Sequence, residues 1–174
     1  MSTSVRAADR RLTATGSSIL VAFFSRSGNT RVVAGLLRRA TGADLFEIQP
    51  AVSYPDEYLA TVEQARVERD NGYRPALAAT VPDIKKYEKV FLGFPIWGET
   101  TPPVIRSFLS SHDFAGTTIV PFITHGGYGL GDSLSVIARH APRARLAATF
   151  SMQADQERQT MEKVSGWLRK VPVV

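Results

Sequence analysis

The sequence contains no cysteine. That excludes a disulfide framework, a thiolate nucleophile, an iron–sulfur cluster held by thiolates and every cysteine-based zinc site. Histidine is scarce as well: His112, His125 and His140 are the only three, and no two stand at metal-ligand spacing. No metal site is expected, so any redox chemistry has to come from an organic cofactor. No apolar run approaches the ~18 residues that mark a membrane-spanning helix. No stripe of Lys and Arg interleaved with aromatics occurs, so nucleic acid is not an expected partner despite a pI near 9.8.

What is present suits one soluble domain. The chain has 174 residues, 44 % hydrophobic and 21 % charged, with a formal net charge of +5. The charge is uneven: residues 1–39 hold seven Arg against one Asp, and residues 40–100 hold ten acids against six bases. Residues 1–17 are polar, small and basic without apolar periodicity, and read as a flexible tail before a domain at 18–174. The Arg10-Arg11 pair resembles a twin-arginine export signal. However, the apolar stretch after it, Ile19 to Phe24, is only six residues long and β-rich, with no small-residue cleavage site following. A cytoplasmic protein is expected.

From Ser18 a regular alternation sets in. Ile19 to Phe24 is a short, fully apolar run, the mark of a strand buried on both faces; Val90 to Phe94 reads as another buried strand and Thr118 to Ile123 as the next strand. Leu45, Phe46 and Ile48 give a half-alternating strand, and Arg145 to Phe150 a last one. Between them, apolar residues recur at helical spacing: Val32 to Ala40 (stopped by Gly42), Val104 to Leu109, Leu134 to Ala138, and Met161 with Val164, Trp167 and Leu168. Strands alternating with helices predict an α/β doubly wound parallel sheet with helices on both faces, which binds ligands at the carboxyl ends of its strands. Residues 49–89 are longer than a simple crossover needs. Tyr58 to Arg69 within them read as a charged helix with Glu63, Glu68, Arg66 and Arg69 on its exposed side, and 70–83 as loop.

Three loops carry the chemistry. The first strand runs into Ser25-Arg26-Ser27-Gly28-Asn29-Thr30 and then into a helix. Free backbone N–H groups and the helix dipole make such a place an anion site, and the hydroxyls and amide add donors. An ordinary N-cap is the plainer account of any one of these residues. The loop lacks Gly-Lys-Ser/Thr and Gly-x-Gly-x-x-Gly, which argues against a nucleoside triphosphate or a dinucleotide bound in the usual way. After the third strand comes Phe94-Pro95-Ile96-Trp97-Gly98-Glu99-Thr100-Thr101-Pro102-Pro103. Its Trp either stacks on a flat ligand or folds back over apolar surface, and the two prolines set the next helix start. After the fourth strand comes Thr124-His125-Gly126-Gly127-Tyr128-Gly129-Leu130-Gly131-Asp132-Ser133, a glycine-rich loop with Tyr128 as a second flat surface. Asp132 or Ser133 would cap the helix that follows.

Ser-x-Ser-Gly-Asn-Thr, Pro-Ile-Trp-Gly and Thr-His-Gly-Gly-x-Gly in this order resemble the flavodoxin-like family of short-chain type, over residues 18–170. The resemblance implies a five-stranded parallel sheet in the order 2-1-3-4-5 and one non-covalent FMN. By it, Ser25, Ser27, Gly28, Asn29 and Thr30 would hold the phosphate, with Arg26 inside that loop. Pro95, Ile96, Trp97 and Gly98 would line the isoalloxazine. Thr124, Gly126, Gly127 and Tyr128 would flank its other edge, with His125 beside them as a hydrogen-bonding or proton-donating residue. No side chain is required as a catalytic acid or base.

One feature departs from that family. Electron carriers of this kind are acidic around the flavin, whereas here Arg26 lies inside the phosphate loop and Arg31 just after it, and Glu99 and Asp132 are the only acids in the three loops. A less negative surround favours a reduced, anionic flavin and an anionic partner. The expected roles are therefore an FMN protein in electron transfer to a redox partner protein, an NAD(P)H-dependent reductase of a quinone-like acceptor, or a non-catalytic flavin-binding or docking module. The expected assembly is a monomer or weak dimer.

Overall fold

The computed structural model describes residues 12–153 and 164–171, apart from the Tyr58 side chain. The elements in chain order are β1 (Leu12–Thr13), β2 (Ile19–Phe23), α1 (Asn29–Thr41), β3 (Asp44–Glu47), α2 (Tyr58–Asp70), a 3-10 turn (Ile84–Lys86), β4 (Lys89–Pro95), α3 (Pro103–Ser110), β5 (Thr118–His125), α4 (Ser133–His140), β6 (Arg145–Leu146) and β7 (Phe150–Gln153). Residues 164–168 are helical; Met161 of the expected closing helix lies outside the described residues.

The sheet order is β1-β3-β2-β4-β5-β6, with β7 also on β5. All pairings from β3 to β7 are parallel, so the expected 2-1-3-4-5 order is observed. The last strand differs in detail. It is split, β6 pairing Thr118–Ile119 and β7 pairing Phe122–His125, with residues 147–149 between them. The far edge differs too. Within the expected tail, Leu12–Thr13 pair antiparallel with β3, and the Thr15 hydroxyl donates to Asp44 Oδ1 at 2.9 Å. Asp44 is fully buried and also accepts from Tyr87 Oη at 2.6 Å. Burial pushes its carboxyl up, but the bonds from Tyr87, Thr15 and the Ser17 backbone outweigh this and hold it below the ordinary carboxylate range.

Alternate residues of the central strands feed two cores. Leu20, Ala22, Val90, Leu92 and Phe94 pack with α3 and α4 through Val104, Ile105, Phe108 and Ile137. Val21, Phe23, Phe91 and Phe122 pack on the other face with Val33, Ala34 and Leu37 of α1 and with Val164. Gly93 is required by this packing, since a Cβ there would stand 2.0 Å from the Phe122 ring. Two helix boundaries follow from the sequence: α1 ends at Gly42 in the left-handed region, and Pro103 opens α3. Among the described residues no helix is long and apolar enough to cross a membrane, and no group of three or more His, Asp or Glu could hold a metal ion.

Candidate functional site

A cleft of about 740 Å³ opens at the carboxyl ends of β2, β4 and β5, within the size range of small-molecule sites. The three loops singled out in the sequence converge on it. Arg26, Ser27 and Asn29 come from the first, Pro95, Ile96, Trp97 and Gly98 from the second, and Thr124, His125, Gly126 and Tyr128 from the third.

The remaining predicted residues stand just behind this wall. Ser25 Oγ accepts from the backbone N–H of Gly28 at 3.1 Å and of Arg31 at 3.3 Å, folding the loop around the start of α1. Gly28 is the N-cap residue at φ +97°, a conformation that favours glycine; it has no side chain to cap the helix, and the Ser25 hydroxyl takes up the Arg31 N–H of its first turn. No acid lies in its first turn. A Cβ on Gly28 would meet nothing within 4 Å, so the backbone there faces open space. A helix start without a competing carboxylate suits a phosphate. Thr30, buried, shares a 2.9 Å hydroxyl–hydroxyl bond with buried Thr124, tying the first loop to the third. Arg26 also donates to the Asp56 carbonyl at 2.9 Å, and Arg31 pairs with Glu47 at the surface.

Trp97 begins a tight two-residue hairpin. Trp97 and Thr100 exchange backbone bonds of 3.0 and 3.2 Å, and both Gly98 (φ +56°) and Glu99 (φ +63°) are left-handed, the requirement of a type I′ turn. Glycine meets this freely, whereas Glu99 carries strain of about 1 kcal/mol or more. The turn is pinned on two sides. Arg69 Nη1 donates to the Gly98 carbonyl at 3.1 Å, and the Asp132 N–H donates to the Glu99 carbonyl at 3.2 Å. Gly131 permits the second bond, since a Cβ there would lie 1.7 Å from Glu99 O. The Trp97 ring does both things the sequence allowed: it lines the cleft and packs edge-on against Phe24 at 5.2 Å and Tyr54 at 4.9 Å.

His125 Nδ1 accepts from the N–H groups of Gly127 at 3.0 Å and Gly129 at 3.3 Å. The ring proton therefore sits on Nε2. His125 thus braces the glycine loop that presents Tyr128, whose side chain is exposed. The α4 cap differs from expectation. Asp132 holds the N-cap position without a side-chain bond, and Ser133 Oγ donates back to the Leu130 carbonyl.

Sequence reasoning missed a fourth wall, built from Thr61, Val62, Ala65, Arg66 and Arg69 of α2, together with Glu99. It also misplaced Glu68, which is 8 % exposed instead of solvated. Glu68 accepts from Tyr54 Oη at 2.9 Å and Gln64 Nε2 at 3.0 Å. Burial first, then Glu68, push the Tyr54 phenol well above its ordinary range, opposed by a bond from the Val104 N–H at the start of α3. Tyr54 thereby joins α2, α3 and Trp97. On α3, burial pushes Arg106 below the ordinary guanidinium range; Asp132 opposes this, and Arg139 and Arg69 add to it. Three arginines, Arg26, Arg66 and Arg69, face one carboxylate, Glu99, around the cleft.

The sequence matches the family described as Flavodoxin over residues 18–171. Among solved structures, a protein from Bacteroides eggerthii DSM 20697, provisionally described as a flavoprotein, is 32 % identical with a TM-score of 0.74. That match covers 88 % of this chain and 96 % of the other. A second such protein, from Bacteroides uniformis ATCC 8492, is 28 % identical with a TM-score of 0.76, covering 89 % and 99 %. A flavoprotein from Lactobacillus acidophilus NCFM, solved in complex with FMN, shares the fold at 17 % identity and a TM-score of 0.66, covering 84 % and 97 %. Among proteins of curated function none matches.

Proposed function

The chain belongs to the flavodoxin family, and on that footing we propose that it binds one FMN in the cleft and serves electron transfer through it. The observation that carries this reading is the convergence of three sequence-distant loops on one cleft, whose wall includes Asn29 at the start of α1 and two aromatic side chains, Trp97 and Tyr128. Ser25 to Thr30 and the start of α1 would hold the phosphate. The Trp97 turn and the His125–Tyr128 loop would receive the ring system between them. When bound, FMN supplies one- and two-electron chemistry that no side chain here provides.

The protein's own part is to place and surround the cofactor. Ser25 and His125 fold the two loops from within, Thr30 and Thr124 lock them together, and the Arg69 and Asp132 bonds fix the Trp97 turn. His125 Nε2–H is a donor available for hydrogen bonding at this site.

The cationic lining favours a second reading of the same site, an NAD(P)H-dependent reductase of a quinone-like acceptor. Arg26, Arg66 and Arg69 would attract an anionic nucleotide. One experiment separates the two. The FMN-loaded protein is mixed with NADPH or NADH, with and without a quinone. Steady nicotinamide oxidation supports the reductase; reduction by dithionite but never by nicotinamides supports a carrier with a protein partner.

A further inference from the structure

Nothing in the loop motifs foretells α2, yet it is anchored as a built part of the cleft. Glu57 caps its start by accepting from the Leu59 and Ala60 N–H groups at 3.1 and 2.7 Å. The Thr61 hydroxyl donates to the Pro55 carbonyl, and Glu68 is locked between Tyr54 and Gln64. This anchored helix carries Arg69 into the cleft wall with its side chain one-third exposed. Its Nη1 donates to Gly98 O at 3.1 Å and its Nε to Asp70 Oδ1 at 3.2 Å. Gly98 belongs to the turn that sets Trp97, and a Cβ there would meet the guanidinium at 2.9 Å. With phosphate at the start of α1, a flat ring system has to lie between Trp97 and Tyr128, beside that turn.

We propose that Arg69 is a positioning and charge-setting residue of the cofactor site. It pins the Trp97–Thr100 turn through the Gly98 carbonyl and holds a positive charge beside the ring system, favouring the cofactor's reduced, negatively charged form. This rests on the FMN reading above. The neighbouring charges are mixed. Asp70 offsets Arg69 directly, and Glu99 sits on the turn itself. Arg66 is held by Glu63 and Asp70, while Arg106 lies within electrostatic reach of Arg69, Arg139 and Asp132. Neutralising Arg69 therefore removes one positive charge from beside the turn and leaves Asp70 paired with Arg66. In a partly buried site with an effective dielectric of about 20, one unit charge a few ångströms away is worth a factor of roughly ten or more in such an equilibrium.

The test uses the full chain, Arg69→Gln and Arg69→Lys. Each apoprotein is titrated with FMN, and the two-electron midpoint potential of each loaded protein is measured against a reference dye. Arg69→Gln is expected to lower the reduction equilibrium about tenfold, a shift of about 30 mV to more negative potential; Arg69→Lys keeps the charge and stays near the parent. Equal potentials in parent and Arg69→Gln, both carrying FMN, overturn the inference and leave the FMN reading standing. If Arg69→Gln takes up no FMN, Arg69→Lys decides: a parent-like potential supports the role of charge, and a tenfold lowering overturns it. A parent chain that takes up no FMN overturns the cofactor reading and this inference with it.

Discussion

Tyr54→Phe removes one oxygen and keeps the ring that meets Trp97 edge-on at 4.9 Å. What it takes away is the 2.9 Å bond to Glu68, whose carboxylate is 8 % exposed, and the acceptor for the Val104 N–H. Water has little access to replace either, so the change is expected to cost about 2–3 kcal/mol, the upper part of the range for an unsatisfied buried group because Glu68 is charged. In a domain of this size that is a fall in Tm of roughly 5–10 °C. Glu68→Leu removes both acceptor oxygens and with them the bond to Tyr54. Urea titrations of parent, both single variants and the double variant then give the coupling directly, expected at about 1–2 kcal/mol for two groups in one buried network. The near-UV dichroism of Trp97 should survive Tyr54→Phe, since the aromatic contact remains. A coupling below about 0.5 kcal/mol would refute the argument that this pair anchors α2 to the site.

Trp97→Ala should weaken FMN binding by about 1–3 kcal/mol, roughly 5- to 150-fold, if the ring stacks on the cofactor; an unchanged dissociation constant excludes that role. Gly131→Ala drives a Cβ into the Glu99 carbonyl at φ +53°, so we expect more than about 1 kcal/mol of lost stability and weaker FMN uptake. A variant that folds and binds like the parent would show that the Glu99–Asp132 bond does not hold the two loops in place. Acid should destabilise the fold in a graded way through His112. Burial lowers its imidazole pKa, against the Phe108 carbonyl that accepts from Nδ1, while Nε2 accepts from the Val81 N–H at 2.9 Å. The unfolded chain takes this proton near pH 6.5 and the folded chain only at lower pH, so stability falls as pH drops below about 6.5. His112→Leu should remove that slope, and an equally steep slope in the variant would count against the assignment.

The parallel sheet was legible because its central strands are buried on both faces, leaving Ile19 to Phe24, Val90 to Phe94 and Ile119 to Ile123 as short runs without a polar side chain. The three loops were legible because glycine, hydroxyl and aromatic residues cluster where strands end. The α2 wall was hidden for a physical reason. Its buried residues are Thr61, Ala65 and Glu68, while Leu59 and Val67 are exposed and Val62 is exposed on the cleft wall, so no continuous apolar stripe marks its inner face. Its buried face meets Tyr54 and the cleft instead of an apolar core, and a carboxylate is satisfied there by hydrogen bonds that no spacing rule announces. β1 was hidden likewise. Two residues in a polar stretch give no periodicity, and what fixes that stretch is the bonding of Thr15 to a buried Asp44, 29 positions further along.

Three arginines of this basic chain, Arg26, Arg66 and Arg69, line the cleft. The most direct test of the account is a titration of the ligand-free chain with FMN, followed by flavin absorbance and fluorescence. Saturable uptake of one FMN per chain, weakened by substitutions at Ser27 or Trp97, is the predicted result. A folded chain that stays colourless and leaves FMN fluorescence unchanged would contradict the account at its centre.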